Sequence, residues 1–333
     1  MSGLLVRVLC VGAVFISAAS LGGAQHSRTV SGRVILQRGA QTVPVRDRMV
    51  TLHRVGSDTA GAVDSVLSDA RGNYRFTFRP FGAERAVYFA AALHGGVAYF
   101  TAPLGAAASE GESAEITVFD TTSTGVNISV RGRHLAISAP SAGGSRAVLD
   151  VFELGNDSMR TLVQGRDAQG ARATWRVVLP EGAQNATVMR DAGDIAGAAV
   201  VIADGAASVF APFAPGLKQL ALRYEFPPSV DSLTIPLMDK TGVLEVLFEE
   251  TAARAAGAGL AAQGAVTVEG KSLQRFLAQD VPQSAVLTIT FPGARAQSSN
   301  RTWLMALLGA LIAAAVAALL LRSGRSSAKN PDA

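Results

Sequence analysis

The sequence predicts an all-β protein built of tandem β-sandwich domains. Short runs that alternate apolar and polar residues recur along the chain, and clusters of turn residues separate them. No long segment between residues 25 and 298 shows the 3.6-residue period of an amphipathic helix, so we expect sandwiches or barrels. Two continuous apolar segments bracket this region, one near each end of the chain.

The N-terminal apolar segment predicts a secretory signal peptide at residues 1–24. A single cation, Arg7, precedes an apolar run, and small residues follow it. This order of basic, apolar and small-residue regions is typical of an export signal. We expect cleavage before Gln25, with cleavage after Ala19 as the alternative. Cys10 lies too early, and follows Leu9 rather than a small residue, so it does not predict a lipid anchor.

The C-terminal apolar segment predicts one transmembrane helix at residues 303–321, which carry no charge. As a helix this segment would rise about 28 Å, close to the ~30 Å hydrocarbon core of a bilayer. Trp303 at one end suits the membrane interface, and Arg322 and Arg325 suit a cytoplasmic tail at residues 322–333. We therefore expect a single-pass protein of the cell (inner) membrane, with a periplasmic or extracellular ectodomain and the bilayer as its first partner.

The charge and cysteine content exclude several classes of function. The chain has 30 Lys and Arg against 26 Asp and Glu. Most of the excess lies in the predicted signal peptide and tail, so the ectodomain is nearly neutral and no nucleic acid is expected as a partner. The only cysteine lies in the predicted signal peptide. The mature chain would form no disulfide and would have to rely on core burial for stability.

The first predicted domain covers residues 28–105. Tyr74-Arg-Phe76-Thr-Phe78 places three aromatic rings on one face of a strand, and Asp69 to Gly72 before it predicts a turn. Further strands are expected at Val87 to Ala91 and Val97 to Phe100.

The first domain resembles the carboxypeptidase regulatory-like domain, a seven-stranded transthyretin-like sandwich. The matching motifs are Gly32-x-Val34, Val43-Pro44-Val45 before Val50-x-Leu52, and Asp69-x-x-Gly72-x-Tyr74-x-Phe76. The resemblance covers about 75 residues and implies a structural or interaction module, in a fold class that includes carbohydrate-binding domains. It implies no peptidase, because the zinc ligands of the catalytic domain are not recognisable.

The sequence of the rest of the ectodomain predicts two more β domains. We expect them to be Ig-like sandwiches. A small, polar linker at residues 106–113 leads to a second sandwich at 114–228, and a smaller third domain covers 229–296. The pair Pro227-Pro228 favours this boundary because proline removes ladder donors. One larger sandwich is the alternative. The Ala/Gly-rich stretch 252–265 is interpreted as a loop.

Each candidate site residue also has a structural interpretation. His53 and His94 could bind a metal if the fold brought them together, and Asp64, Asp69 and Asn73 could form part of a calcium loop. Unrelated histidines and a simple turn are the favoured interpretations. We therefore expect no catalytic residue, no cofactor site and no metal site.

Other features are also interpreted as structural. Trp175 is expected in a core, and a basic turn at Arg131, Arg133 and His134 is expected to be solvated. Four glycosylation sequons, at Asn127, Asn156, Asn185 and Asn300, match a pattern that often arises by chance.

The sequence therefore predicts a non-catalytic, membrane-anchored envelope protein with a structural or protein-interaction role. Its expected partner is another envelope protein. The alternative is a carbohydrate-binding module presented at the membrane surface, with a glycan as the ligand.

Overall fold

The structure, a computed structural model, describes residues 27–105, 109–168, 170–189, 193–291 and 302–313. The prediction of an all-β fold is confirmed over these residues. They form two compact units. The first comprises the chain up to Val34 with Arg46–Ala92 and Phe100–Ile116; the second comprises Ile35–Val45, Leu93–Tyr99 and the chain from Thr117.

The strands, in chain order, are short. The first nine are β1 Arg28–Arg38, β2 Gln41–Pro44, β3 Met49–Val55, β4 Ala60–Leu67, β5 Asn73–Phe78, β6 Val87–His94, β7 Val97–Phe100, β8 Ser109–Glu110 and β9 Ile116–Phe119. The next nine are β10 Thr121–Thr122, β11 Ile128–Ile137, β12 Arg146–Asn156, β13 Thr161–Leu162, β14 Gly165–Asp167, β15 Gly170–Arg172, β16 Trp175–Val178, β17 Gln184–Val188 and β18 Val200–Ala203. The last eight are β19 Ala206–Val209, β20 Gly216–Phe226, β21 Ser232–Pro236, β22 Thr241–Phe248, β23 Arg254–Gly257, β24 Ala261–Val268, β25 Lys271–Val281 and β26 Val286–Thr290.

Short 3-10 turns occupy Gly111–Ala114 and Gly197–Ala199. Helix α1 covers residues 302–313.

Two sheets contain the strands of the predicted first domain. One has the order β2-β1-β5, with β8 and β9 also paired to β1, and the other has the order β4-β3-β6-β7. On β5 the buried side chains are Tyr74, Phe76 and Phe78, and the residues between them are exposed. The predicted alternation of this strand is therefore confirmed.

A close backbone approach lies behind β5. Gly32 on β1 pairs with Tyr74, and the Tyr74 hydroxyl donates a hydrogen bond to the Ala114 carbonyl oxygen. A Cβ on Gly32 would lie only 1.9 Å from that same oxygen. Glycine is therefore required at position 32 because no side chain would fit there, and not because of its backbone torsion angles.

The second unit is built on a seven-stranded sheet with the order β17-β20-β12-β11-β22-β25-β24. Its pairs are antiparallel except that between β11 and β22, which is parallel. One face contributes to a core shared with two three-stranded sheets, β16-β19-β18 and β21-β26-β23. Two further two-stranded pairs are β10-β13 and β14-β15.

The proline pair ends a strand without separating two cores. β20 ends at Phe226, immediately before Pro227. However, β20 and the later strand β22 lie in the same sheet, and side chains from both enter the same core cluster. A missing N–H group interrupts pairing locally, but it does not determine which sheet the following strand joins. Residues on both sides of the prolines therefore share one sheet and one core.

The Ala/Gly-rich stretch differs from its interpretation as a loop. It contains β23 and the start of β24, an edge strand that pairs with β25 and is largely exposed. Small residues have low intrinsic strand preference, but backbone pairing with an established neighbour is sufficient to order them here.

Helix α1 lies on the face of the seven-stranded sheet that points away from the main core. Trp303, Leu304, Leu307 and Leu308 form a second buried cluster with side chains of the sheet. Within the described ranges, no helix is both long enough and apolar enough to span a membrane. The predicted signal peptide at 1–24, the second half of the predicted span at 314–321 and the tail at 322–333 lie outside the described residues.

Candidate interaction surface

The two histidines considered as metal ligands make other contacts. The His53 ring stacks on Phe89, with ring centroids 5.3 Å apart and planes 10° from parallel. His94 Nε2 lies 4.0 Å from Asp120 Oδ1. Over the described parts of the chain, no group of three or more His, Cys, Asp or Glu side chains is placed to hold a metal ion.

Asp69 is engaged in its own turn. Its Oδ1 accepts backbone hydrogen bonds from Arg71 and Asn73, both at 2.8 Å, and its Oδ2 accepts one from the Asn73 side chain at 3.0 Å. These hydrogen bonds, led by that of the Asn73 side chain, lower the pKa of Asp69. The predicted turn from Asp69 to Gly72 is present, and Gly72 has the positive φ of 78° that it requires.

The three residues of the predicted basic turn lie instead in strand β11, so that prediction is wrong. Arg131 is exposed and pairs with Asp157. Arg133 is buried, with its Nε and a terminal nitrogen 3.1 and 2.8 Å from the two Asp150 carboxylate oxygens. His134 projects from the opposite face of the sheet. A β-bulge between Val130 and Gly132 shifts the register at Arg131. Beyond the bulge, successive side chains point to opposite faces, so Arg133 and His134 lie on different sides of the sheet.

Trp175 occupies the core, as predicted. It is 7% exposed, and its ring lies 5.2 Å from that of Phe152. Asn156, within one of the sequons, is also buried: its Nδ2 donates to the carbonyl oxygens of Arg160 and Phe213, both at 2.8 Å. Both residues therefore have structural roles.

Large apolar side chains and one polar pair, Thr51 with Ser65, share the outer face of the β4-β3-β6 part of the first unit. Alternation on β3 turns Val50, Leu52 and Arg54 inward and the residues between them outward. The outward residues of adjacent strands lie opposite one another: Met49 with Leu67, His53 with Phe89, and Val55 with Val87. We call this surface, together with the ring that flanks it, the aromatic face; its residues are Met49, His53, Val55, Leu67, Val87, Phe89 and Phe100.

The aromatic face is accessible although its members are large apolar residues. Phe100 is 58%, Leu67 59% and Met49 51% exposed. The Phe100 ring contacts Phe89 edge to face, with centroids 5.7 Å apart, so His53, Phe89 and Phe100 form a continuous row of rings. Isolated exposed apolar residues are common on proteins, but a row of adjacent exposed rings with apolar neighbours is typical of an interaction site.

Two aromatic pairs in the sequence indicate this surface. Both Tyr88-Phe89 and Tyr99-Phe100 place two aromatic residues consecutively in a strand. Because successive side chains point to opposite faces, one ring of each pair must face away from the core. Tyr88 and Tyr99 are buried, and Phe100 is the outward member of its pair.

A polar cleft of about 790 Å³ adjoins the aromatic face on the first unit, and Leu67 borders both. Its charged and amide side chains are Arg33, Asp69, Asn73, Arg75 and Glu115. Arg33 and Glu115 pair across 3.3 Å. Tyr74 also borders the cleft, but it is only 4% exposed, so it offers no ring face on which a sugar could stack.

Comparisons with known proteins give no family. No protein-family model matches the chain, and no curated protein matches its sequence. Among solved structures, the chain is similar to a protein of Parabacteroides distasonis described as "a putative protease". The two share 13% identity with a TM-score of 0.32, over 50% of this chain and 40% of that one. At this level the similarity supports no argument about function.

Proposed function

We propose that this chain is a non-catalytic, membrane-anchored protein of the cell envelope that binds a partner protein through the aromatic face. The observation that carries the proposal is the row of His53, Phe89 and Phe100 with exposed apolar neighbours on one sheet face. Burial of apolar area contributes roughly 25 cal/mol per Å², and aromatic residues are enriched where that burial is strongest at interfaces. A partner with an apolar surface of its own fits this face.

The proposal includes the domain class and the location. Residues 28–105 would form a carboxypeptidase regulatory-like, transthyretin-like sandwich, and an Ig-like class is proposed for the β domain that follows it. The signal peptide and the span at 303–321 would place these domains outside the cytoplasm. These assignments are supported by the motifs at Gly32 and Asp69 and by the two apolar segments of the sequence.

Photo-crosslinking in native membranes would test the interaction. A photoreactive amino acid would replace Phe100 in the full chain, and a matched control would carry it at Val201, an exposed strand residue of the second unit. We expect a crosslinked protein at position 100 that is absent at position 201. The substitutions Val87→Ser and Met49→Ser should weaken that crosslink without lowering thermal stability. An unchanged crosslink in both variants would contradict the proposal.

Anchoring has a separate test. The full chain should remain in the membrane pellet after alkaline carbonate extraction, and a chain ending at residue 301 should be released. Release of the full chain would show that the C-terminal segment is not an anchor, without affecting the proposed interaction.

Glycan binding is the second candidate, and the polar cleft favours it. Arg33, Asp69, Asn73 and Arg75 supply donors and acceptors of the kind that bind sugar hydroxyls. Beside the rings of the aromatic face lie Val55 and Val87, and the polar groups nearby, Thr51 and Ser65, are bonded to each other. This favours a protein partner there. A glycan array with the full ectodomain and its Arg75→Ala variant would decide: binding lost in the variant supports a glycan site, and uniform background removes it.

A further inference from the structure

Helix α1 is bound to the seven-stranded sheet by one side only. Trp303 is 1% exposed, and Leu304, Leu307 and Leu308 are each at most 8% exposed. Met305 on the other side is 53% exposed. The spacing of the buried residues is that of one helical face, so the segment uses this face as a docking surface although its sequence is apolar all round.

The sheet presents a matching strip of small and branched apolar side chains. We call it the docking strip; its residues are Ala136, Ala147, Leu149, Val151, Ala221, Leu247 and Leu273. They come from five strands, β11, β12, β20, β22 and β25. The strip is therefore part of the folded sheet and does not depend on the helix for its geometry.

Two polar contacts are specific to the docked position. The Trp303 Nε1–H group donates to Glu249 Oε2 at 3.2 Å, and Gln219 Nε2 donates to the Leu311 carbonyl oxygen at 3.4 Å. Lipid hydrocarbon offers no equivalent of Glu249. These bonds therefore distinguish docking from simple collapse of an apolar helix.

The same residues begin the predicted transmembrane span. Trp303, Leu304, Leu307 and Leu308 cannot face the docking strip and the bilayer at once. We propose that residues 302–313 exchange between two exclusive positions, docked on the strip and inserted in the membrane, so that the strip is uncovered only when the chain is anchored. The inserted position rests on the anchoring proposed above; the docked one does not.

Tryptophan fluorescence of the full chain in liposomes would test this exchange. The chain has two tryptophans, so a Trp175→Phe background leaves Trp303 as the sole reporter. A docked Trp303 is shielded from acrylamide and from brominated lipid, whereas an inserted one is quenched by brominated lipid. We expect both populations in the background chain.

Variants of the strip would change the balance between the populations. Leu149→Glu places a carboxylate under the helix but leaves the helix sequence intact. It should raise the inserted-to-docked ratio at least about tenfold, because docking of the helix would then remove a carboxylate from water. Its cross-strand neighbour is Arg223, and the site faces solvent once the helix leaves, so the sheet should still fold. Glu249→Gln should cause a smaller shift in the same direction. Met305→Ala, on the exposed side of the helix, is the matched control.

The outcomes separate the two proposals. Equal lipid quenching in the background chain, Leu149→Glu and Glu249→Gln would overturn the exchange while leaving the anchor intact. Absence of lipid quenching in every chain, including Leu149→Glu, would overturn both. Greater lipid quenching in Leu149→Glu and Glu249→Gln, with Met305→Ala unchanged, supports the exchange.

Discussion

The imidazole Nδ1 of His134 lies 2.8 Å from Glu245 Oε2, and the other ring nitrogen lies 3.7 Å from Glu153 Oε1. Burial disfavours the charged ring, but the two carboxylates outweigh it and raise the pKa of His134 to about 9. Burial likewise opposes ionisation of Glu245, yet His134 and Arg275 lower its pKa. The parallel pair β11–β22, which places His134 beside Glu245, therefore carries an ion pair.

This pair predicts a loss of stability at alkaline pH. Because the folded-state pKa of His134 lies above its ordinary value of 6.5, its contribution is complete below about pH 6.5 and is lost as pH rises through 9. The expected decrease in the free energy of unfolding is up to about 3 kcal/mol. Denaturant titrations at pH 6.5 and 9.5 would measure it.

His134→Gln is the control for this prediction. The variant should be less stable at pH 6.5 and should lose much less stability between the two pH values. A native chain whose stability is the same at both would contradict the ion pair.

The buried pair of Arg133 and Asp150 predicts that single and combined substitutions have strongly non-additive effects on the free energy of unfolding. Asp150 Oδ2 also accepts a hydrogen bond from the Tyr224 hydroxyl at 3.1 Å. Arg133→Met leaves the carboxylate buried without its cation, so we expect a loss of about 3–5 kcal/mol.

Replacing the whole group should recover most of that loss. The triple variant Arg133→Met, Asp150→Leu, Tyr224→Phe removes all three polar partners together, and an apolar group of similar volume is often as stable. Equilibrium unfolding of the single and triple variants would decide. A triple variant less stable than the single would show that the polar group itself stabilises the core.

The approach of Ala114 to Gly32 predicts an order of severity for two small changes. Tyr74→Phe removes only the hydrogen bond to the Ala114 carbonyl, at an expected cost of about 1 kcal/mol. Gly32→Ala places a Cβ in steric overlap with that oxygen, so the strand or the 3-10 turn must shift. We expect the free energy of unfolding to fall by about 1–3 kcal/mol or more. Thermal unfolding would measure both. Gly39→Ala is unsuitable as a control because its φ is positive, whereas Gly61→Ala meets open space and should cost little.

The buried Asn156 predicts a structural role for one sequon. Asn156→Ala leaves the carbonyl oxygens of Arg160 and Phe213 without its two hydrogen bonds, and about 1–3 kcal/mol should be lost. Asn127→Ala, at an exposed sequon of the same unit, should change stability by less than about 0.5 kcal/mol. Similar effects of the two substitutions in chemical denaturation would be the contradictory result.

Local features of this fold could be predicted from sequence, and long-range ones could not. Tyr74, Phe76 and Phe78 alternate with polar residues, so their shared face follows from strand geometry alone. The partner of β11 does not, because a parallel pairing with β22 has no local signal, and the prolines at 227 and 228 pointed to a division that the shared core does not have.

The candidate surface shows the same limit. That one ring of Tyr99-Phe100 faces outward follows from alternation. The row formed by Phe100, Phe89 and His53 depends on the strand order β3-β6-β7 and on its register. Neither the order nor the register can be predicted from the local sequence. The charge state of His134 depends likewise on two carboxylates brought from β12 and β22.

The parallel pairing of β11 with β22 also sets the order in which the second unit can be completed. His134 and Glu245 are separated by 111 residues, so a chain emerging N-terminus first presents β11 long before its neighbour exists. Until then the outer backbone groups of β11 form an open sheet edge that other chains can pair with. Closure of such a distant contact is slow, and the sheet reaches its final order only after β22 is free. The interval before β22 joins the sheet is therefore the one in which the edge of β11 is open to pairing with other chains.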